Sequence, residues 1–318
     1  MDTPRTIAAP SRGYQLVGWL IAAVWLGTLA PLLGRSLWLC ELASHFRLQC
    51  ALGGIVCLVA AAVIRRSSLI LPAMLAAGLN AAYLLPSYVG TVAAQPNSLV
   101  LRAVQFNVSR INPTPDRAFE YLQSVKPDIV VLEECDQRWI ERLQQARTDY
   151  PSVIGQPRED AFGIALASRI PLDEASIQRL GPYRLPAVIA RVHVGERPLT
   201  VIGVHAMSPL SPRDSAVRNT MLRELAALVR AETRPVLLLG DLNTSPWSWA
   251  FGELIRASGL QDTRRGFGVQ ASWPAGLGPL GIPIDHCLVS PGLVVHHRLV
   301  GPSHGSDHHP ILVELAVE

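Results

Sequence analysis

The chain has 318 residues, 49% of them hydrophobic and 17% charged, with a formal net charge of +3. That length and a composition break near residue 90 make two parts the natural reading, because the carboxy-terminal part holds 22 of the 28 Lys+Arg and 23 of the 25 Asp+Glu. From about Ser98 onward the balance is therefore only −1, which argues against a protein that grips long nucleic acid by its phosphates and leaves a nuclease open.

Three apolar runs come first: Tyr14 to Leu33, Leu48 to Ile64 and Ser67 to Val89. Each approaches the ~20 residues that a helix needs to cross a bilayer. They predict a membrane anchor over residues 1–92 with three transmembrane helices. A secretory signal peptide is the alternative for the first run, but the run is longer than a usual apolar signal core and two more follow it. The middle run is the shortest and would also suit a re-entrant segment, which would reverse the placement of everything after it. Arg5 and Arg12 precede the first run and Arg65-Arg66 separate the second from the third, whereas Arg35 and Arg47 are spread along the first loop with Glu41. By the positive-inside bias the amino terminus is expected inside a cell (inner) membrane and the carboxy-terminal domain outside the cytoplasm.

The five cysteines make no disulfide framework. Cys57 falls in a span, Cys135 and Cys287 read as buried thiols, and Cys40 and Cys50 bracket the first loop and would pair if that loop lies outside.

The second domain is expected over residues 98–318. Leu99 to Val108 reads as a strand entering a core, and Thr114-Pro115 starts a helix with Ala118, Leu122 and Val125 on one face. Asp128 to Leu132 is the next strand, followed by a helix through Trp139, Ile140 and Leu143. Phe162 to Ala167, Ala187 to Val194 and Leu199 to Val204 read as antiparallel strands, Ser211 to Arg230 as a long helix, and Val236 to Leu239 as a buried strand. A short helix to Ser258 and strands over Ile284 to Val289, Leu293 to Leu299 and Ile311 to Val317 complete the order. Such a mixture fits mixed sheets with helices outside.

Polar clusters interrupt the strand ends: Asn107 in VQFNV, Glu133-Glu134 after PDIVVL, His205 in VIGVHA, Gly240-Asp241-Leu242-Asn243 after PVLLL, Asp285-His286 before CLVS, and Ser306-Asp307-His308-His309 before PILVEL. Loops at strand ends leave side chains in solvent on a fixed backbone, so these clusters read as parts of one site. Carboxylates, carboxamides and imidazoles together suit a divalent-metal phosphoester hydrolase.

The order Asn107, Glu134, His205, Asp241-x-Asn243, Asp285, Asp307-His308 resembles the endonuclease/exonuclease/phosphatase superfamily, the deoxyribonuclease I-like fold, over roughly residues 99 to 318. The resemblance implies an α/β fold of two packed mixed β-sheets flanked by helices, a four-layer sandwich, here preceded by about three transmembrane helices. It also implies Mg²⁺-assisted cleavage of a phosphodiester or phosphomonoester, with Mn²⁺ as a substitute. A hard cation takes oxygen ligands, and the register of the resembled motif implies Glu134 as the carboxylate, with Asn107 beside it. The family usually shows Gln-Glu where this chain has Glu133-Glu134, and Ser109 stands where many members carry a second polar ligand. Adjacent strand residues face opposite ways, so only one of the two glutamates is expected to reach the metal.

His308 is expected at the phosphorus centre with Asp285 holding its imidazole in one tautomer. Asp241 matches the residue that orients or deprotonates the attacking water. Asn243 matches a donor to a phosphate oxygen, His205 binds or protonates another, and Asp307 supports the metal or the histidine. His193, His296, His297 and His304 read as structural, with His286 and His309 as undecided neighbours. Trp273, on a Gly/Pro-rich loop, suits substrate contact, and Trp247 suits core packing. The expected partners are a phosphoester substrate, nucleic acid or phospholipid headgroup, and the lipid bilayer; no protein partner is inferred. A lipid headgroup phosphodiesterase or phosphatase and a non-catalytic membrane scaffold are the alternatives.

Overall fold

The computed structural model describes residues 12–90, 99–146 and 148–317. Arg5, and the junction expected between residues 92 and 98, lie outside the described residues. The chain divides into two compact units, Met1–Leu85 and Pro86–Glu318.

The first unit is helical: α1 (Arg12–Leu29), α2 (Trp38–Leu42), α3 (Arg47–Val63) and α4 (Ser67–Leu84), joined by short 3₁₀ turns. Three helical runs, Arg12–Leu33, Trp38–Val63 and Ser67–Ser87, are long and apolar enough to cross a membrane. The middle run is the longest at 26 residues, not the shortest, because helix begins at Trp38 where Glu41, His45 and Arg47 dilute the apolar pattern. Gly54 lets α3 and α4 touch, since a Cβ there would stand 2.7 Å from the Ala77 nitrogen. Buried Arg47 donates to the Thr28 carbonyl at 2.8 Å and to Asn80 Oδ1 at 3.2 Å, and lies 4.1 Å from the Tyr83 ring centre. Cys40 and Cys50 are both free thiols, so the pairing considered for them is not formed.

The second unit contains β1 (Leu99–Asn107), α5 (Pro115–Val125), β2 (Ile129–Glu133), α6 (Gln137–Gln145), β3 (Ser152–Gln156), β4 (Ile164–Ser168), β5 (Leu172–Leu180), β6 (Leu185–Val194) and β7 (Arg197–Val204). It continues with α7 (Pro212–Ala231), β8 (Val236–Asp241), α8 (Trp249–Ser258), β9 (Gln261–Asp262), β10 (Asp285–Val289), β11 (Leu293–Val300) and β12 (Ile311–Val317). One sheet has the order β11-β12-β1-β2-β4-β3 and the other β5-β6-β7-β8-β10-β9. Among the described residues only β1–β2 and β7–β8 pair in parallel, and a helix connects the strands of each pair, as a parallel connection requires.

Period-2 alternation sorts the apolar residues into layers. Leu101 and Ala103 of β1, Ile129 and Val131 of β2, and Leu237 and Leu239 of β8 form the core between the sheets. Val104, Phe106, Val130 and Leu132 face outward onto α5 and α6, while Ile202, Val204 and Leu238 face α7 and α8. The result is the expected four-layer sandwich. Two longer strands, β3 and β5, lay outside the sequence expectation. Both are sheet edges, and β5 is mostly exposed, so burial imposes little alternation on them.

Candidate active site

The site is the inter-sheet face carried one layer beyond the apolar core. Gln105 and Asn107 continue the Leu101-Ala103 row of β1, Glu133 continues Ile129-Val131, Asp241 continues Leu237-Leu239, and Asp285 precedes Cys287 on β10. Asp285 stands opposite Asp241, and Asn107 beside Glu133, in the strand registers. All five side chains are buried. Gly240 permits the β7–β8 approach: a Cβ would lie 1.8 Å from the Val204 carbonyl oxygen. That approach brings His205, next after Val204, to Asp241.

Asp241 Oδ2 is the hub. It lies 3.2 Å from Asn107 Nδ2, which donates to it, 3.4 Å from His205 Nε2 and 3.7 Å from His308 Nε2. The other oxygen, Oδ1, accepts the Asn243 backbone N–H at 2.8 Å. This turn holds Asn243 at φ 50°, a left-handed conformation that asparagine tolerates well. From there Asn243 Nδ2 donates to the Ala206 carbonyl at 2.9 Å and lies 3.2 Å from His205 Nε2.

His308 Nδ1 meets Asp285 Oδ2 at 2.9 Å, and Asp285 Oδ1 accepts from Gln105 Nε2 at 2.8 Å. Ser306 fastens the loop, donating to the Asn107 carbonyl at 2.7 Å and accepting the His308 N–H at 3.0 Å. Burial disfavours a charged imidazole, but Asp285, then Asp241 and Asp307, outweigh it and raise the pKa of His308 to about 10. His308 is thus an imidazolium at neutral pH. Burial likewise opposes the Asp285 carboxylate, yet the contacts from His308, Ser272 and Gln105 hold its pKa below the usual range. His205 is raised too, because the hydrogen bond and charge of Asp241 overcome burial.

Glu134 reaches the site by a route that strand alternation does not describe. β2 ends at Glu133, and Glu134 sits at φ 59°, outside the ladder. Its Oε1 accepts from Asn107 Nδ2 at 3.1 Å and its Oε2 from the Arg110 backbone N–H at 3.1 Å. Glu133 turns inward as well, accepting from Gln105 Nε2 at 3.0 Å. Both glutamates thus turn toward the site, Glu134 near the mouth and Glu133 beneath it. Burial, with Asp285 and Asp241 nearby, raises the Glu133 pKa well above the carboxylate range.

Asp307 is exposed, and its Oδ2 accepts the Trp273 indole N–H at 3.1 Å; the Trp273 ring centre lies 6.3 Å from that of His308. Gln105 and Ser272 were missed in the sequence, and Ser306, named within its polar cluster, was given no role. Gln105 carried the available signal, two residues before Asn107 on the same strand face. His286 is buried behind the site, between Arg264 and the Thr244 carbonyl, and His309 lies 3.3 Å from the Ala275 carbonyl. His193 pairs with Asp173 and His304 packs on Tyr121, whereas Trp247 is half-buried.

Two groupings are relevant to a cation. Asp241, Asp285 and His308 present ligand atoms within 4.8 Å of one another, but His308 is engaged by Asp285 and carries positive charge, which repels a metal. Glu134, by contrast, offers carboxylate oxygens near the mouth that meet only N–H donors, an environment that suits a hard divalent ion, while Asn107 turns its amide nitrogen to Glu134 and its Oδ1 accepts the Ser109 N–H at 3.0 Å.

The chain belongs to the Endonuclease/Exonuclease/phosphatase family, which it matches over residues 104–308. Solved structures of similar fold include a family protein from Bacteroides thetaiotaomicron, with a TM-score of 0.59 at 18% identity over 70% of this chain and 99% of that one. A humanized D. rerio TDP2 has a TM-score of 0.57 at 19% identity over 69% and 99%. The human Nocturnin catalytic domain, with a bound sulfate anion, has 0.53 at 18% over 70% and 97%. At these identities the likeness is one of fold. Comparison with curated proteins by sequence gives no match.

Proposed function

We propose that this chain is a membrane-tethered, Mg²⁺-dependent phosphodiesterase, with Mn²⁺ an acceptable substitute and the catalytic domain outside the cytoplasm. The observation that carries the reading is Asp241 Oδ2, set 3.2 Å from Asn107, 3.4 Å from His205 and 3.7 Å from His308, with His308 charged by the buried Asp285. Glu134 would hold the ion, joined by Asn107 once its Oδ1 is released from the Ser109 N–H, with Asp307 in support. Bound there, the ion supplies charge neutralisation at the phosphate oxygens.

The chain's own groups do the rest. Asp241 orients a water and accepts its proton at Oδ2. The His308 imidazolium donates through Nε2 to the phosphate, where negative charge builds up in the transition state, while Asp285 keeps Nδ1 protonated and the ring aimed. His205 and Asn243 bind the remaining oxygens. A phosphodiester class is supported by a D. rerio TDP2 structure complexed with a single-strand DNA product, within the same fold. The scaffold reading leaves the buried, mutually charged Asp285–His308 pair without a purpose.

The experiment is turnover of bis(p-nitrophenyl) phosphate by the full chain in detergent with Mg²⁺. His308→Ala and Asp241→Ala should each lose about 10³-fold in kcat or more with unchanged circular dichroism. Wild-type turnover in both variants refutes the site.

A further inference from the structure

We propose that Gln105 is a positioning residue of the reaction: its amide nitrogen, shared between Glu133 and Asp285, orients the carboxylate that aims His308. This rests on the phosphodiesterase reading above.

Gln105 lies on β1 in the row that runs through Leu101 and Ala103 to Asn107 at the site, and it is fully buried. A carboxamide at that border of the core costs free energy unless its polar atoms are bonded, whereas methionine or leucine would extend the core without that cost. Its hydrogen bonds are one-sided. Nε2 gives one hydrogen to Glu133 Oε2 at 3.0 Å and the other to Asp285 Oδ1 at 2.8 Å, while Oε1 is buried with no partner among the described residues. The group therefore acts as a donor to two carboxylates. The two N–H bonds of a planar amide diverge at a fixed angle, so pinning one to Glu133 aims the other at Asp285.

Glu133 is on β2, beside β1 in the same sheet, and Asp285 is on β10 in the opposite sheet. Gln105 thus carries the geometry of one sheet across to the other at the catalytic layer. The apolar contacts beneath it hold the sheets together without direction, and a hydrogen bond supplies the direction.

Direction matters for Asp285, because the terminal torsion of an aspartate is broad and no rotamer well fixes its carboxylate plane. With Oδ1 held by Gln105, Oδ2 is left facing His308 Nδ1 at 2.9 Å. Among the described residues this is the one hydrogen bond of the His308 imidazole, since Nε2 stands 3.7 Å from Asp241 Oδ2. The aim of Nε2 at a phosphate therefore depends on Asp285, and Asp285 depends on Gln105. Asn107 repeats the arrangement, its Nδ2 donating to Glu134 Oε1 and to Asp241 Oδ2. β1 thus holds both aspartates of the second sheet, Asp241 in the site and Asp285 beneath it. Gln105 itself touches no reacting atom and moves no proton.

The test is a double-mutant cycle on the full chain in detergent with Mg²⁺, using Gln105→Met, Asp285→Asn and the two together. Methionine keeps the reach of glutamine and has no N–H. On bis(p-nitrophenyl) phosphate, Gln105→Met should lower kcat about 10-fold or more and leave KM within about two-fold. In the Asp285→Asn background the same change should cost less than about two-fold, because the group it acts through has gone. Losses that multiply in the double variant, or a kcat for Gln105→Met within about two-fold of wild type, overturn the proposal.

A second readout needs no turnover. The ¹H resonance of His308 Nδ1–H, identified by its absence in His308→Ala, should move in Gln105→Met; an unmoved resonance overturns the positioning role even where rates fall. If the methionine variant does not fold, Gln105→Thr, smaller and favoured in strands, takes its place in the cycle and the spectrum. Loss of the fold in both makes Gln105 structural and overturns the role. A moved resonance in a chain whose wild type cleaves no phosphodiester overturns the phosphodiesterase reading and leaves the hold of Gln105 on His308 standing.

Discussion

Asp285→Asn is the most informative single change, because it removes one negative charge from a buried pair and keeps the shape. The carboxylate stands 2.9 Å from His308 Nδ1 and both side chains are buried. Opposite unit charges centred about 4 Å apart are worth about 4 kcal/mol at an effective dielectric constant near 20. At 1.36 kcal/mol per factor of ten, a fall in kcat of about 10²- to 10³-fold is expected. The pH profile gives a second readout. His308 acts as the charged acid, so activity is present below its pKa and lost as pH rises through it. In the wild type that pKa is about 10, leaving the alkaline limb beyond the usual assay range. Without the Asp285 charge the His308 pKa falls, so the alkaline loss must begin at lower pH. Steady-state turnover of bis(p-nitrophenyl) phosphate from pH 6 to 10 measures both effects. A variant with the wild-type rate and an unmoved alkaline limb would show that the pair is structural and that the role assigned to His308 is wrong.

Two further outcomes are expected. Glu134→Gln keeps the hydrogen-bonding shape but removes the charge facing the ion, so Mg²⁺ affinity measured calorimetrically in the presence of phosphate should drop about 10-fold or more; unchanged affinity would place the metal elsewhere. His286 bears on stability. Burial and the charge of Arg264 hold its pKa at about 3, so the folded form stays neutral while the unfolded chain takes up a proton below about pH 6.5. Its contribution is therefore present above pH 6.5 and lost as pH falls, by about 2 kcal/mol between pH 6.5 and 5. The melting temperature of the catalytic unit should fall over that range, and His286→Gln should lessen the dependence; an identical slope in the variant would contradict the assignment.

How much could be read in advance follows from local burial. The central strands β1, β2, β8 and β12 are buried on both faces or nearly so, and their apolar runs stood out in the sequence. Edge strands β3 and β5 did not, because one side of an edge meets solvent and polar residues such as Asp173, Glu174 and Gln178 are tolerated there. The same reasoning explains the middle membrane run. Its first turns carry Glu41, His45 and Arg47, which break a hydropathy pattern but are buried in the folded helices.

The residue types at the strand ends, their order along the chain and the three apolar runs were determined by sequence alone, since composition and spacing are local properties. The tertiary structure decided which of these groups face one another and in what charge state. Asp241 and His308 are far apart in the chain, and only strand register and the Ser306 bridge bring them within 3.7 Å. The Glu133 pKa is raised and His308 is charged because each depends on burial and on partners contributed by other strands.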